Sequence, residues 1–138
     1  MPDRFELGTL PFEQLAAVRA AAQFMLERVV PLGWVEEQEL GDRLDAGLRA
    51  IDGVTVLGER RPGDAPTRWF TVAGLDPQTV ATRLAERQIA VWAGTNYAWE
   101  IAHWLGLGDA GAVRAGLVHY NDATDVDRLL EAVGAISP

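Results

Sequence analysis

The chain has 138 residues, 49% hydrophobic and 23% charged, with 20 acidic against 12 basic residues and a net charge of −8. That is one domain's length with enough apolar side chains for a core, and so negative a surface argues against a nucleic-acid partner because it repels phosphate. There is no Cys, hence no disulfide, thiolate nucleophile or persulfide, and all twelve basic residues are Arg, so the chain supplies no Schiff-base lysine.

The start, MPDRFELGTLPFEQ, is acidic and lacks the basic and apolar regions of a signal peptide. No apolar run approaches the roughly 18 residues of a membrane span. The expectation is a soluble, cytoplasmic protein. Residues 1–10 carry Phe5, Leu7 and Leu10 without a helical period and read as an extended arm, with one domain over 11–138. Pro11 opens a helix with the stripe Phe12, Leu15, Val18, Ala22, Met25, Leu26 and Val29, a three-and-four spacing that predicts one buried face. Pro31 and Gly33 end it. A second helix is predicted over roughly 35–51, with Leu40, Leu44, Leu48 and Ile51 as its inner row and Arg43 and Arg49 solvated.

At Gly53 the period switches. Strands are predicted at 54–57 and 68–72, joined as a hairpin across the Arg60–Pro66 loop. Asp76-Pro77 caps a third helix with Val80, Ala81, Leu84 and Ala85 inward. A strand at 89–92, a turn at 94–97 and a short helix carrying Trp99, Ile101, Ala102 and Leu105 follow. The last strand, 113–119, alternates Val113, Ala115, Leu117 and His119 on one face with Arg114, Gly116, Val118 and Tyr120 on the other. Asp122 or Thr124 caps the closing helix, with Asp125 or Asp127 as capping-box partner and Val126, Leu129, Leu130 and Val133 inward. The order ααββαβαβα, with short crossovers, predicts an α/β (α+β sandwich) fold: a small, mostly antiparallel sheet covered by helices on one face.

Gly106-Leu107-Gly108-Asp109-Ala110-Gly111 spells GxGxxG, yet a helix precedes it and a strand follows. A dinucleotide site needs the reverse, so this is a helix C-cap and loop. His103 and His119 lie too far apart for a metal pair and are read as structural. Arg114 sits in an otherwise apolar strand, and Gly116 beside it leaves room against the guanidinium. It is either the fork for a carboxylate or half of an internal salt bridge. Gly94-Thr95-Asn96-Tyr97, between strand and helix, is either a ligand loop or a plain turn.

Three blocks in order resemble the C-terminal small domain of class V aminotransferases, the fold-type-I enzymes that use pyridoxal phosphate. They are Arg4-Phe5-Glu6-Leu7-Gly8-Thr9, the segment from Ile89 to Ala98, and Ala112 to Asp122 followed by Val126-Asp127-Arg128-Leu129-Leu130. Cysteine-desulfurase-like proteins are the nearest branch. The resemblance implies that Arg114 binds the α-carboxylate of a small amino-acid substrate and that Asn96 and Tyr97 lie over that substrate. It further implies that Gly8 and Thr9 reach the cofactor phosphate, typically across a dimer interface. Tyr97 stands where cysteine desulfurases carry their persulfide cysteine, so that route of sulfur transfer is closed. The cofactor domain, with its lysine and its aspartate, has no counterpart in this sequence.

No catalytic residue and no metal ligand is therefore assigned, and the isolated chain is not expected to be catalytic. Pyridoxal phosphate would bind only with a cofactor domain supplied from elsewhere, by a partner polypeptide or a homo-oligomer. A fragment, one half of a split enzyme and a relic all fit. The alternative is a non-catalytic interaction or small-molecule-binding module of the same fold. Phe5, Leu7, Leu10 and Phe12 require an apolar partner under the first reading.

Overall fold

The computed structural model describes residues 8–30 and 33–138, and the chain divides into two units, 1–34 and 35–138. Residues 1–7 of the expected arm lie outside the described residues. In the first unit, Gly8 to Pro11 lead into helix α1 (Phe12–Phe24), whose end widens into a π-helical turn over Met25–Val29. The Val30 N–H donates to the Met25 carbonyl at 2.9 Å. Of the predicted buried stripe only Val29, in the π-helical turn, is buried: Phe12, Leu15 and Val18 are 63%, 51% and 66% exposed, and no residue of α1 itself is buried. Among the described residues of this unit there is no sheet and no complete second helix for the stripe to close on. Periodicity shows which face would be buried, not that a partner is present.

The second unit holds a sheet of four strands, β1 (Val54–Leu57), β2 (Thr67–Val72), β3 (Trp92–Gly94) and β4 (Ala112–Gly116), every pair antiparallel, in the order β1-β2-β4-β3. Helix α2 (Gly33–Arg49), from Val35 onward in this unit, runs to a turn that Gly53 completes at φ 78°, a conformation costly for any residue with a Cβ. Strands β1 (Val54–Leu57) and β2 (Thr67–Val72) form the expected hairpin. Helix α3 (Pro77–Ala85) starts at Asp76, whose side chain accepts from the Thr79 N–H at 3.0 Å. Strand β3 (Trp92–Gly94), helix α4 (Trp99–Trp104), strand β4 (Ala112–Gly116) and helix α5 (Ala123–Gly134) complete the unit. Of the alternatives for the last cap, Asp122 with Asp125 forms the capping box.

Alternation along the strands sorts the sheet into two faces. Val56, Phe70 and Val113 lie in register on one, and with Leu44 and Leu48 of α2, Val80 and Leu84 of α3, and Val126, Leu129 and Val133 of α5 they form a single core. Leu57, Trp69, Arg114 and Trp92 form a row across all four strands on the other. So three helices cover one face, as the pattern predicts, and α4 borders the opposite one.

Two strands differ from expectation. The ladder of β4 stops at Gly116, opposite Thr67, because the next residue of β2 would be Pro66, which has no N–H to donate. The Leu117 N–H still reaches the Pro66 carbonyl at 3.0 Å, but the Val118 N–H turns to Asn121 Oδ1, so 117–119 leaves the sheet. Strand β3 is displaced to 92–94 from the expected 89–92. Ile89 and Val91 pack against the core instead of pairing, and 88–91 and 115–118 line one cavity of about 370 Å³.

The loop between β1 and β2 is held by an arginine that composition does not reveal. Arg60, 5% exposed at its side chain, donates to the Gln38 carbonyl and amide oxygens at 3.0 and 2.9 Å and pairs with Asp42. Its guanidinium fills the space a Cβ at Gly41 would take. Arg43 and Arg49, expected to be solvated, are exposed but paired. Arg43 makes a fork to Asp127 with both bonds at 2.8 Å, and Arg49 bonds Asp45 at 2.8 Å. The Asp45 bond holds the Arg49 guanidinium above its ordinary pKa.

Candidate functional site

The row Leu57–Trp69–Arg114–Trp92 lies on the sheet face away from the core, and Arg114 occupies the inner strand β4 between β2 and β3. Hydrogen-bonded neighbours on both sides fix its Cα. Its side chain is exposed, and it makes no ion pair or hydrogen bond among the described residues. Among the described residues its guanidinium lies over Trp92, the central carbon 5.9 Å from the ring centroid. Next to it on the same face, a Cβ at Gly116 would crowd Thr67 Oγ1 at 3.1 Å, so the room expected at Gly116 is taken in part by the Thr67 side chain. Of the two readings of Arg114, the internal salt bridge is thus absent from the described residues. An unpaired, planar, five-donor cation beside open space is suited to a carboxylate.

The turn at 94–97 reaches the same place. Asn96 and Tyr97 both take left-handed backbone angles, φ 52° and 62°. Such a conformation is tolerable for Asn and costly for an aromatic residue, and it persists only where the surroundings impose it. Asn96 Nδ2 donates back to the Gly94 carbonyl at 2.9 Å. The glycine motif supplies the other constraint. Gly106, Gly108 and Gly111 all have positive φ, and a Cβ on Gly111 would overlap the Gly94 carbonyl and the Thr95 nitrogen. The motif is a helix C-cap and loop, as its context implies, and its last glycine props the turn from behind. Tyr97 points to solvent, 93% exposed.

Arg114 and Asn96 line one cavity of about 340 Å³ together with Leu57, Thr67, Trp69 and Ile101. Two of these residues hold buried polar atoms without partners, Trp69 Nε1 and Asn96 Oδ1. An indole N–H only donates and an amide oxygen only accepts, and each costs about 1–3 kcal/mol when left unpaired. Trp69 was not apparent as a site residue. Its alternation with Phe70 was the available signal; its place opposite Arg114 comes from the β2–β4 pairing, which joins strands that no hairpin connects.

The histidines take no part in this cavity. His103 Nε2 lies 3.3 Å from Asp109, and its ring stacks on Trp99 with centroids 3.9 Å apart, tying α4 to the glycine loop. His119 packs edge-on against Tyr120. Among the described residues no group of three or more acidic, Cys or His side chains is placed to hold a metal, and no helix is long and apolar enough to cross a membrane. The remaining expected residues, Gly8 and Thr9, belong to the first unit and are exposed.

The described residues thus form a small antiparallel sheet with helices on one face and an exposed arginine, unpaired among them, on the other. The model of the class-V aminotransferase family matches residues 1–129, and the chain belongs to that family. It is 29% identical over 133 residues to a probable cysteine desulfurase of Staphylococcus epidermidis, and 33% identical over 132 residues to one of Pseudomonas putida. Each match covers 96% of this chain and 32% of the relative. The apo cysteine desulfurase of Thermococcus onnurineus NA1 superposes on it with a TM-score of 0.87 at 30% identity, covering 98% of this chain and 33% of that one. The chain thus spans about a third of the length of the relatives it matches.

The family implies pyridoxal phosphate, and the residues present do not fit that group as one held by this chain alone. There is no Lys. A Cβ at Gly8 meets nothing within 4 Å, so no cradle surrounds it, and the orphaned buried polar atoms, on Arg68, Trp69 and Asn96, all lie in the other unit. What the described residues offer chemically is an exposed guanidinium of a shape suited to an anion.

Proposed function

We propose that the chain is the substrate-side part of a pyridoxal-phosphate-dependent, cysteine-desulfurase-like protein and that it acts in the cytoplasm. Arg114 binds the α-carboxylate of a small amino acid, and Asn96 and Tyr97 border the same molecule. The cofactor is held by a domain on another polypeptide or partner copy, with Gly8 and Thr9 directed to its phosphate. The observation that carries this reading is the Arg114 guanidinium, unpaired among the described residues in a chain with eight more acids than bases. An arginine kept from so many carboxylates of its own chain remains available for one brought by a ligand. Tyr97, in the place of the persulfide cysteine, leaves this protein without that family's thiol route.

The test is titration of the full chain with L-alanine, followed by NMR at the backbone N–H of residue 114 and the indole N–H of Trp92, signals that Arg114→Lys retains. The expected result is a saturable shift that weakens about tenfold in Arg114→Lys, since Lys cannot form the fork. Equal affinity of the two proteins would overturn the reading.

A further inference from the structure

Arg114 lines a second cavity besides the one it shares with Asn96. This one, of about 480 Å³, opens where the sheet ends early: the β3–β4 register runs no further than Trp92 opposite Arg114, and Ala90 and Val91 line the cavity instead of pairing. Arg114 is its one charged lining residue among those described. Thr67 brings a hydroxyl, and Ala90, Val91, Leu117 and Val118 make the wall apolar.

The strand gives this space a direction. Arg114 and Gly116 stand on one face of β4, roughly 7 Å apart, and the lining continues past them to Leu117 and Val118. Gly116 has no side chain to interrupt that line, and a Cβ there would already crowd Thr67 Oγ1. At the head the guanidinium lies over the Trp92 ring. The trough thus has a cation at one end and hydrocarbon along the rest. A second charged group on a ligand would meet no counter-charge in it, whereas methylene groups gain by leaving water.

We propose that this cavity binds an unbranched monocarboxylic acid, with its carboxylate on the Arg114 guanidinium and its hydrocarbon chain laid over Gly116 towards Leu117 and Val118. The proposal rests on the reading of Arg114 as a carboxylate-binding group and goes beyond it in naming a ligand without an amino group. One guanidinium cannot make the fork to two carboxylates at once, so such an acid competes with the amino acid for Arg114.

The experiment titrates the full chain with acetate, hexanoate and 1-hexanol, observed by NMR at the backbone N–H groups of Ala90, Arg114, Gly116 and Val118. Both acids should shift the Arg114 signal, and hexanoate should also shift the other three. Hexanoate should bind about tenfold more tightly than acetate, the gain of a chain part-covered in an open trough, and should weaken L-alanine binding. Hexanol, with the same chain and no charge, should bind about tenfold more weakly than hexanoate. In Gly116→Val, which sets a branched side chain in the path of the tail, the advantage of hexanoate over acetate should fall about fivefold. The wild-type shifts at Ala90, Gly116 and Val118 need no variant, so a misfolded Gly116→Val does not block the test. If the two acids bind alike and perturb Arg114 alone, if hexanol matches hexanoate, or if L-alanine binding is indifferent to hexanoate, the proposal is overturned, and the Arg114 reading stands as long as acetate or L-alanine shifts Arg114. If neither acid nor L-alanine perturbs Arg114, both fall.

Discussion

Arg68 and Arg114 sit on neighbouring strands of one sheet, one residue out of register, and so face opposite ways. Arg68 points into the core side. It is 6% exposed, its Nη1 lies 3.6 Å from Asp45, and its Nε has no partner. Arg114 points to the open side and meets no acid of the described chain. The same side chain is a structural counter-ion on one face and an available ligand group on the other. Strand parity and the presence of a helix overhead decide which.

The sharpest way to test that contrast is to remove the acid on the core side. Asp45→Ala should cost about 3 kcal/mol in chemical denaturation, because it leaves the Arg68 charge buried without compensation. Arg68→Met should cost clearly less, since it removes the charge itself. If the two cost the same, Arg68 is not a buried ion dependent on Asp45. On the open side, Gly111→Ala should cost about 2 kcal/mol, the new methyl being driven into the Gly94–Thr95 backbone at a positive φ. It should also displace the Asn96 signals while leaving those of Arg68 in place.

Asp122→Ala should cost about 1 kcal/mol by opening the capping box of α5. Its partner Asp125 is held below the usual carboxylate pKa of 3.8, first by the hydrogen bond from Asn121 and then by the Asp122 N–H. The folded value is the lower one, so this contribution is complete above the ordinary carboxylate range and lost as pH falls through the depressed value. Acid titration of Asp125→Asn should therefore show a shallower loss of stability below that range. The smallest effect belongs to Arg114→Lys. Thermal or chemical denaturation should change by no more than about 0.5 kcal/mol, as at a surface position. A larger loss would give Arg114 a structural partner and join it to Arg68.

The element order, the hairpin, the capping box, the core row of α5 and Val80 and Leu84 of α3 were legible in the sequence because each follows from local pattern, whereas Ala85, expected inward at the end of α3, is exposed. The strand ends near 89–91 and 117–119 were not, since they depend on Pro66 lying across from Leu117 and on Asn121 capturing the Val118 N–H. The exposed stripe of α1 failed for the opposite reason: its pattern is clear, but burial requires a partner no periodicity encodes. Arg114 was visible as a charge inside an apolar strand. Trp69 became visible only through register, which pairs residues 45 positions apart.

The cavity is built from two kinds of support. Arg114 is held by an inner strand bonded on both sides, so no change in a loop re-aims it. Asn96 rides on a short turn whose backbone is set by one propping glycine and one side-chain bond. Under the proposed role of Arg114, substitutions near Gly94–Tyr97 and Gly111 would change what surrounds the guanidinium while the strand that carries it stays as it is. The architecture thus separates a fixed group from an adjustable rim, which can vary at the turn without rebuilding the sheet.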